Sequence, residues 1–250
     1  MQLLKEFVFP RRCAGCGVEI EAGCLCRECS NGLLQMKDFP PVDALDGGLF
    51  FFSYENYIRE TIRRIKFGPD KEQCVRLSEE TEKLFMDSGV RDTVIKFLAD
   101  AGMFRSCAEN DYKGEKKFQA PGLKGPCPER KDIWFWSGIP TDPGRLRERG
   151  FDLPAMLFSK SAKGLGGIWT QVLCRSRKTL PMYGLSPEER MRNLQNCFAV
   201  TGNVRGKSIV LVDDIFTTGA TFSNAAAVLK EAGAETVKGL AFCGSIENLR

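Results

Sequence analysis

The sequence predicts an α/β fold around a parallel sheet, preceded by a small four-cysteine module, and three observations carry that prediction. The run Ile209-Val-Leu-Val212 is wholly apolar, as suits a strand buried on both faces, and it leads into a helical pattern over Thr221–Ala232 that Gly233 ends. Cys13-Ala-Gly-Cys16 and Cys26-Arg-Glu-Cys29 form two C-x-x-C pairs. With 250 residues, 43% of them hydrophobic, the chain can fill one substantial core and a small accessory module. The expected division is 1–40 for the cysteine module and 41–250 for the α/β domain.

Taken in order, the first element is the cysteine module. Thiolates from Cys13, Cys16, Cys26 and Cys29 suit a tetrahedral Zn²⁺, and a four-cysteine set leaves no coordination position for water or substrate, so the expected role is structural. Val18–Leu25, with Gly17 and Gly23 as turn residues, is long enough for a hairpin, and Cys24 is an alternative ligand beside Cys26. So small a module cannot fold on apolar burial alone, and metal binding would supply most of its stability. After a linker at Phe39-Pro-Pro41, Leu49–Tyr54 reads as an apolar strand. Tyr57–Lys66 reads as a basic amphipathic helix burying Ile58, Ile62 and Ile65, and Glu72–Met86 as a second amphipathic helix.

Asp92–Ala101 has a helical pattern, but 87–131 as a whole is loosely patterned, rich in Gly, Pro, Lys and Glu, and reads as an insertion. Asp132–Ser137, dense in aromatics, is the expected first strand of the main sheet. The loop Gly138–Phe151 follows, with Arg145, Arg147 and Arg149 at alternate positions. Guanidinium forks match phosphate oxygens, so these arginines are candidates for pyrophosphate; an exposed basic helix start is the plainer reading. Asp152–Ala162 is a helix for the sheet to carry. Arg175–Leu185, broken by Pro181 and Gly184, reads as an arginine-bearing lid, and Ser186-Pro-Glu-Glu189 is a capping box opening a short helix, Pro187–Leu194, that displays Arg190.

The chemistry concentrates at Asp213-Asp-Ile-Phe-Thr-Thr-Gly-Ala-Thr221, a turn at the carboxyl end of the apolar strand, where open α/β sheets bind ligands. Backbone N–H groups of Thr217, Thr218, Gly219, Ala220 and Thr221 precede the first helical hydrogen bonds and face a phosphate with the positive end of the helix dipole. Gly219 allows close approach, and the threonine hydroxyls add donors. Asp213 and Asp214 accept hydrogen bonds only when ionised, so they suit a ribose diol or a hydrated Mg²⁺ rather than a phosphate. A Walker A loop is excluded because no Gly-Lys-Ser/Thr follows this strand.

The net charge of +4 suits an anionic ligand without arguing for nucleic acid. Met1–Arg12 lacks a signal-peptide pattern and no run reaches membrane-spanning length, so a cytoplasmic protein is expected, its eleven cysteines serving as thiols and metal ligands. Histidine is absent, which removes Ser-His and Cys-His catalysis and histidine-ligated metals.

Ile209–Thr221 resembles the PRPP-binding signature of type I phosphoribosyltransferases at all thirteen positions. Taken with the cysteine finger, Ile65-Lys-Phe-Gly68, Arg149-Gly-Phe151, Gly184-Leu-Ser-x-x-Glu-Arg190-x-x-Asn193 and Phe198, the chain resembles the ComF family over nearly its whole length apart from the insertion. That resemblance implies a type I phosphoribosyltransferase-like parallel sheet with flanking helices, behind a zinc finger, in a protein of DNA uptake during natural transformation. It implies Asp213 and Asp214 as the catalytic pair, Thr217–Thr221 on the 5′-phosphate, and Lys66, Arg145, Arg147, Arg149, Arg175 and Arg190 on pyrophosphate or in the lid. Zn²⁺ and Mg²⁺ are the implied ions, PRPP or a related nucleotide the ligand, and single-stranded DNA and DNA-uptake proteins further partners. The alternative is a non-catalytic single-strand-binding accessory that retains the pocket. The chain departs from the family at Asp152-Leu153, where Asn-Gln is usual, and Thr217 stands where hypoxanthine-type relatives carry an aspartate base.

Overall fold

Nine consecutive residues, Ser208–Phe216, form the strand that organises the molecule, and the first five of them are buried. In the computed structural model the described residues are 13, 16–21, 26–32, 34–68, 71–99, 133–177, 186, 189 and 196–245. In chain order they include strands β1 (Leu34–Asp38), β2 (Gly48–Ser53), β3 (Trp134–Gly138), β4 (Ile168–Trp169), β5 (Leu173–Arg175), β6 (Phe198–Val200), β7 (Ser208–Phe216) and β8 (Thr236–Gly244). The helices are α1 (Arg27–Gly32), α2 (Asn56–Phe67), α3 (Lys71–Met86), α4 (Ser88–Ala99), α5 (Pro143–Arg149), α6 (Leu153–Gly164) and α7 (Ala220–Glu231).

One six-stranded sheet runs β1-β2-β8-β7-β3-β4, and every neighbouring pair is parallel except β1 with β2. The short β5 and β6 pair separately as an antiparallel ribbon. Alternation along β7 divides the core: Val210 and Val212 pack with Ile58, Ile62, Ile65 and Phe158 on one face, whereas Ile209 and Leu211 pack with Phe222, Ala225 and Leu229 of α7 on the other. The sheet is therefore covered on both faces, as parallel sheets require.

Two expectations change here. Asp132–Ser137 is not the first strand of the main sheet, because β1 and β2 precede it in the chain and join the same sheet; β3 instead lies between β7 and β4. The Gly138–Phe151 loop contains α5, whose N-cap Asp142 accepts from the N–H groups of Gly144 and Arg145 and whose C-cap Gly150 is left-handed at φ 77°. The helix ending at Gly233 begins at Ala220, and Gly233 closes it at φ 91°. The rest of 87–131 beyond α4 lies outside the described residues.

Phe39, assigned to a linker, is buried. Its ring lies over a pair of glycines, Gly48 and Gly239, that face each other across β2 and β8. A methyl group at Gly48 would sit 1.9 Å from the ring and one at Gly239 2.8 Å away. From that slot Phe39 stacks on Phe216 at 3.9 Å between centroids and meets Phe222 edge-on at 5.0 Å. Gly48→Ala is expected to cost about 1–3 kcal/mol by overpacking, and Phe39→Ala about 3–5 kcal/mol by cavity formation. In chemical denaturation the double variant should cost clearly less than the two together, because the added methyl occupies space that the ring has left.

Candidate functional site

β7 does not stop at Val212; it carries Asp213 and Asp214 within its last residues and ends at Phe216. The alternation that turns Val210 and Val212 toward α2 also turns Asp214 that way, where Lys66, in the last turn of α2, meets it with Nζ 2.7 Å from Oδ2. Asp214 is buried and Lys66 mostly so. Burial by itself would lower the Lys66 ammonium and raise the Asp214 carboxyl. Their mutual charge and hydrogen bond overturn this, so Lys66 is held above its ordinary value and Asp214 below its own. Asp213 moves the opposite way: burial, and then the charge of Asp214, push its carboxyl well above the usual carboxylate range. Its Oδ1 accepts the Asp214 N–H at 2.8 Å.

Beyond Phe216 the chain turns through Thr217, Thr218 and Gly219 into α7. Among the described residues the N–H groups of these three have no hydrogen-bond partner, and the first helical bond of α7 is Ser223 N–H to the Gly219 carbonyl at 2.8 Å. Gly219 is required twice over. Its φ is 77°, and a Cβ there would lie 2.8 Å from the Val42 side chain. Phe216 before the turn and Phe222 after it both pack on Phe39, so the segment Phe39–Val42 supports the turn from behind.

A cleft of about 160 Å³ opens beside the Lys66–Asp214 pair, lined by Lys66, Phe67, Arg145, Glu148 and Arg149. The helical path of α5 divides the expected arginine trio. Arg145 and Arg149, four residues apart, line the cleft, while exposed Arg147 bonds back to the Pro143 carbonyl at 3.2 Å. Arg149 has a buried Nε with no partner among the described residues and lies 5.9 Å from the Phe151 ring. Arg175 is a strand residue of β5; its Nε donates to the Pro140 carbonyl at 2.8 Å and its guanidinium lies over Phe198, so it braces the loop leading into α5. Arg190, Cys24 and most of the expected lid and following helix lie outside the described residues, although both bonds of the capping box, Ser186 N–H to Glu189 and Glu189 N–H to Ser186, are formed.

Asp152 was not singled out for the site. It accepts from the Thr141 hydroxyl at 2.7 Å, and burial, with the Asp214 charge adding to it, raises its carboxyl. The signal in the sequence was its place in a position where the resembled family has asparagine.

Residues 175–248 match the phosphoribosyl transferase domain family, a span that begins at the Arg175 brace and contains Asp213, Asp214 and the whole Thr217–Thr221 turn. Among curated proteins, a DNA utilization protein, YhgH, of Salmonella typhi is 36% identical over 123 residues, 48% of this chain and 52% of its own length. Competence protein ComFC of Streptococcus pneumoniae is 33% identical over 100 residues, 40% of this chain and 43% of its own. The chain thus spans about half the length of the curated relatives it matches. A hypoxanthine phosphoribosyltransferase structure from Staphylococcus aureus aligns with 47% of this chain and 55% of its own at 11% identity and a TM-score of 0.34.

Ahead of the matched span, the sulfurs of Cys13, Cys16, Cys26 and Cys29 lie within 4.8 Å of one another. The Cys16–Cys26 separation of 3.7 Å is close to the edge of a tetrahedron with Zn–S bonds of about 2.3 Å. The Cys26 N–H points to Cys13 Sγ at 3.1 Å and the Cys29 N–H to Cys26 Sγ at 3.4 Å, which are partners for negatively charged sulfur. Burial and then the neighbouring sulfurs push the Cys29 thiol up, so thiolates here need a cation beside them. The donor set fits Zn²⁺, and no further chemistry is assigned to it.

Two tests follow from this geometry. Elemental analysis of the purified protein should find about one zinc per chain, falling sharply in Cys29→Ala. For Asp213, a carboxyl raised on folding means that the native state binds its proton more tightly than the unfolded state. Its contribution to stability is full below the ordinary carboxylate range and is lost as pH rises toward the raised value. Asp213→Asn should therefore raise the melting temperature, with a gain that grows as the pH is brought up from about 4, the ordinary carboxylate value; a gain that shrinks with rising pH contradicts the assignment.

Proposed function

We propose that this protein binds PRPP, or a nucleotide built on ribose 5-phosphate, together with Mg²⁺, and that it serves DNA uptake. The observation that carries the reading is the Asp213–Thr221 unit: two carboxylates at the carboxyl end of β7, followed two residues later by a turn whose Thr217, Thr218 and Gly219 N–H groups have no partner among the described residues, with Gly219 left-handed at a helix start. Thr217–Thr221 hold the 5′-phosphate, and Asp213 and Asp214 face the ribose hydroxyls. Lys66, Arg145 and Arg149 line the adjoining cleft and receive the pyrophosphate. The names of the curated relatives, DNA utilization and competence proteins, support the biological setting.

The chemistry open to such a site is displacement at C1 of PRPP. The bond from C1 to the pyrophosphate oxygen breaks, its electron pair leaves with pyrophosphate, and a nucleophile's lone pair forms the new bond. Lys66 and the arginines act on the charge that accumulates on the departing oxygens, so electrostatics carries the reaction. Asp213, part-exposed at the strand end, is the residue to hold Mg²⁺ with sugar and pyrophosphate oxygens, where the ion would offset leaving-group charge. Because the Asp213 carboxyl is raised, that binding is expected to strengthen as the pH rises.

A second reading, a single-strand-binding accessory that keeps the pocket, draws on one observation: Arg59, Arg63, Arg64 and Arg147 are all exposed. Thermal-shift titration separates the two. PRPP with Mg²⁺ at about a hundred times Kd should stabilise the wild type by about 2.7 kcal/mol, and Asp213→Asn, although more stable at baseline, should show no ligand-dependent shift. Absence of any shift in the wild type, with salt-sensitive oligonucleotide binding that survives Asp214→Asn, supports the accessory reading instead.

A further inference from the structure

Phe67 is the most exposed large hydrophobic side chain among the described residues, at 70%. It ends α2, directly after Lys66, and it lines the same cleft as Lys66, Arg145, Glu148 and Arg149. By contrast, Phe50, Phe51, Phe85, Phe158, Phe216 and Phe222 are buried almost completely in the core. An exposed phenyl ring among cations suits a partner that is flat and apolar on its face yet attached to negative charge.

We propose that Phe67 is a stacking platform for a nucleobase whose phosphate lies on the Lys66, Arg145 and Arg149 side of the cleft. The proposal rests on the nucleotide reading above and adds a second occupant for the same cleft: the base and its phosphate take it when no pyrophosphate is bound there, so PRPP and the base-bearing ligand compete. Three observations select a base over other occupants. The cleft, about 160 Å³, is smaller than the 300–1,000 Å³ typical of larger organic ligands, so it takes about one planar ring system rather than a lipid chain or a folded peptide segment. Its apolar wall is the single ring of Phe67, enough area for a π-face and too little for a purely hydrophobic ligand. Glu148, the one carboxylate beside the three cations of the lining, repels phosphate but accepts from an exocyclic amine or a ring N–H, which puts the base, not the phosphate, on its side.

The same face extends along α2. Arg59, Arg63 and Phe67 follow at four-residue intervals, which places them in one stripe, and both arginines are exposed. A base on Phe67 therefore has cations on both sides: those of the cleft, and those running back along the helix. Both a mononucleotide and a base within a single strand present this chemistry. The Arg59–Arg63 stripe is the feature that only the longer ligand would use.

The test compares wild type, Phe67→Ala and Phe67→Trp, titrated with ribose 5-phosphate, with AMP and with a short oligo-dT, each with Mg²⁺. Phe67→Ala is expected to weaken AMP or oligo-dT binding about tenfold, within the range of a lost base stack, while ribose 5-phosphate binding is unchanged. Phe67→Trp should restore affinity, and the base-bearing ligand should quench the added indole fluorescence, measured as a difference from wild type; ribose 5-phosphate should not. Quenching by oligo-dT that Arg59→Ala weakens, without quenching by AMP, assigns the site to a base in a strand. Unchanged affinities in Phe67→Ala together with no quenching by either base-bearing ligand overturn the proposal. If ribose 5-phosphate fails to bind the wild type while a base-bearing ligand still quenches the indole, the platform stands and the phosphate-turn reading falls.

Discussion

The pairing of Lys66 with Asp214 is the interaction on which the rest of the site depends. Two carboxylates stand next to each other at the head of a buried strand, and a protein interior does not tolerate two adjacent negative charges without compensation. Lys66 compensates one of them at 2.7 Å. The other, Asp213, is left with a raised carboxyl. That single cation therefore favours ionisation of Asp214 over that of Asp213, and it ties the end of α2 to the end of β7. Because Lys66 also lines the cleft toward Arg145 and Arg149, an anion bound there and the charge state of the carboxylates are electrostatically linked.

The opposite side of the turn is controlled by shape. Phe39 fits a slot that exists only because Gly48 and Gly239 face each other in adjacent strands, and it presses on the aromatic residues that bracket Thr217–Ala220. Val42 fills the space behind Gly219. The backbone of the Thr217–Gly219 turn is thus held between charge on one side and close packing on the other. A site preorganised in this way spends little binding energy on ordering itself.

Much of this was legible in the sequence where the information is local. The Ile209–Val212 run, the acidic pair, the threonine-glycine turn and the helix stop at Gly233 are neighbours in the chain, and each signal agrees with the next. The Ile58, Ile62 and Ile65 face of α2 was readable for the same reason. What escaped depends on distant partners. β8 is buried along its full length but contains Lys238 and two of the sheet's glycines. Its lysine is acceptable only because the carbonyls of Phe97 and Leu98, at the end of α4, receive its ammonium and the rings of Phe97 and Trp134 lie against it. Pro143 and Gly144 look like turn residues and so disguise α5, although Asp142 before a proline is a helix start. That helix is why arginines at alternate positions part company. Asp152 joined the site only when α6 was placed against β7.

Amide hydrogen exchange read by mass spectrometry, with and without ribose 5-phosphate, tests the central claim most directly. The account predicts protection concentrated in peptides that cover Asp213–Thr221, since the N–H groups of the turn are the ones a bound phosphate would engage. Protection confined to other segments, or none at saturating ligand, would contradict it.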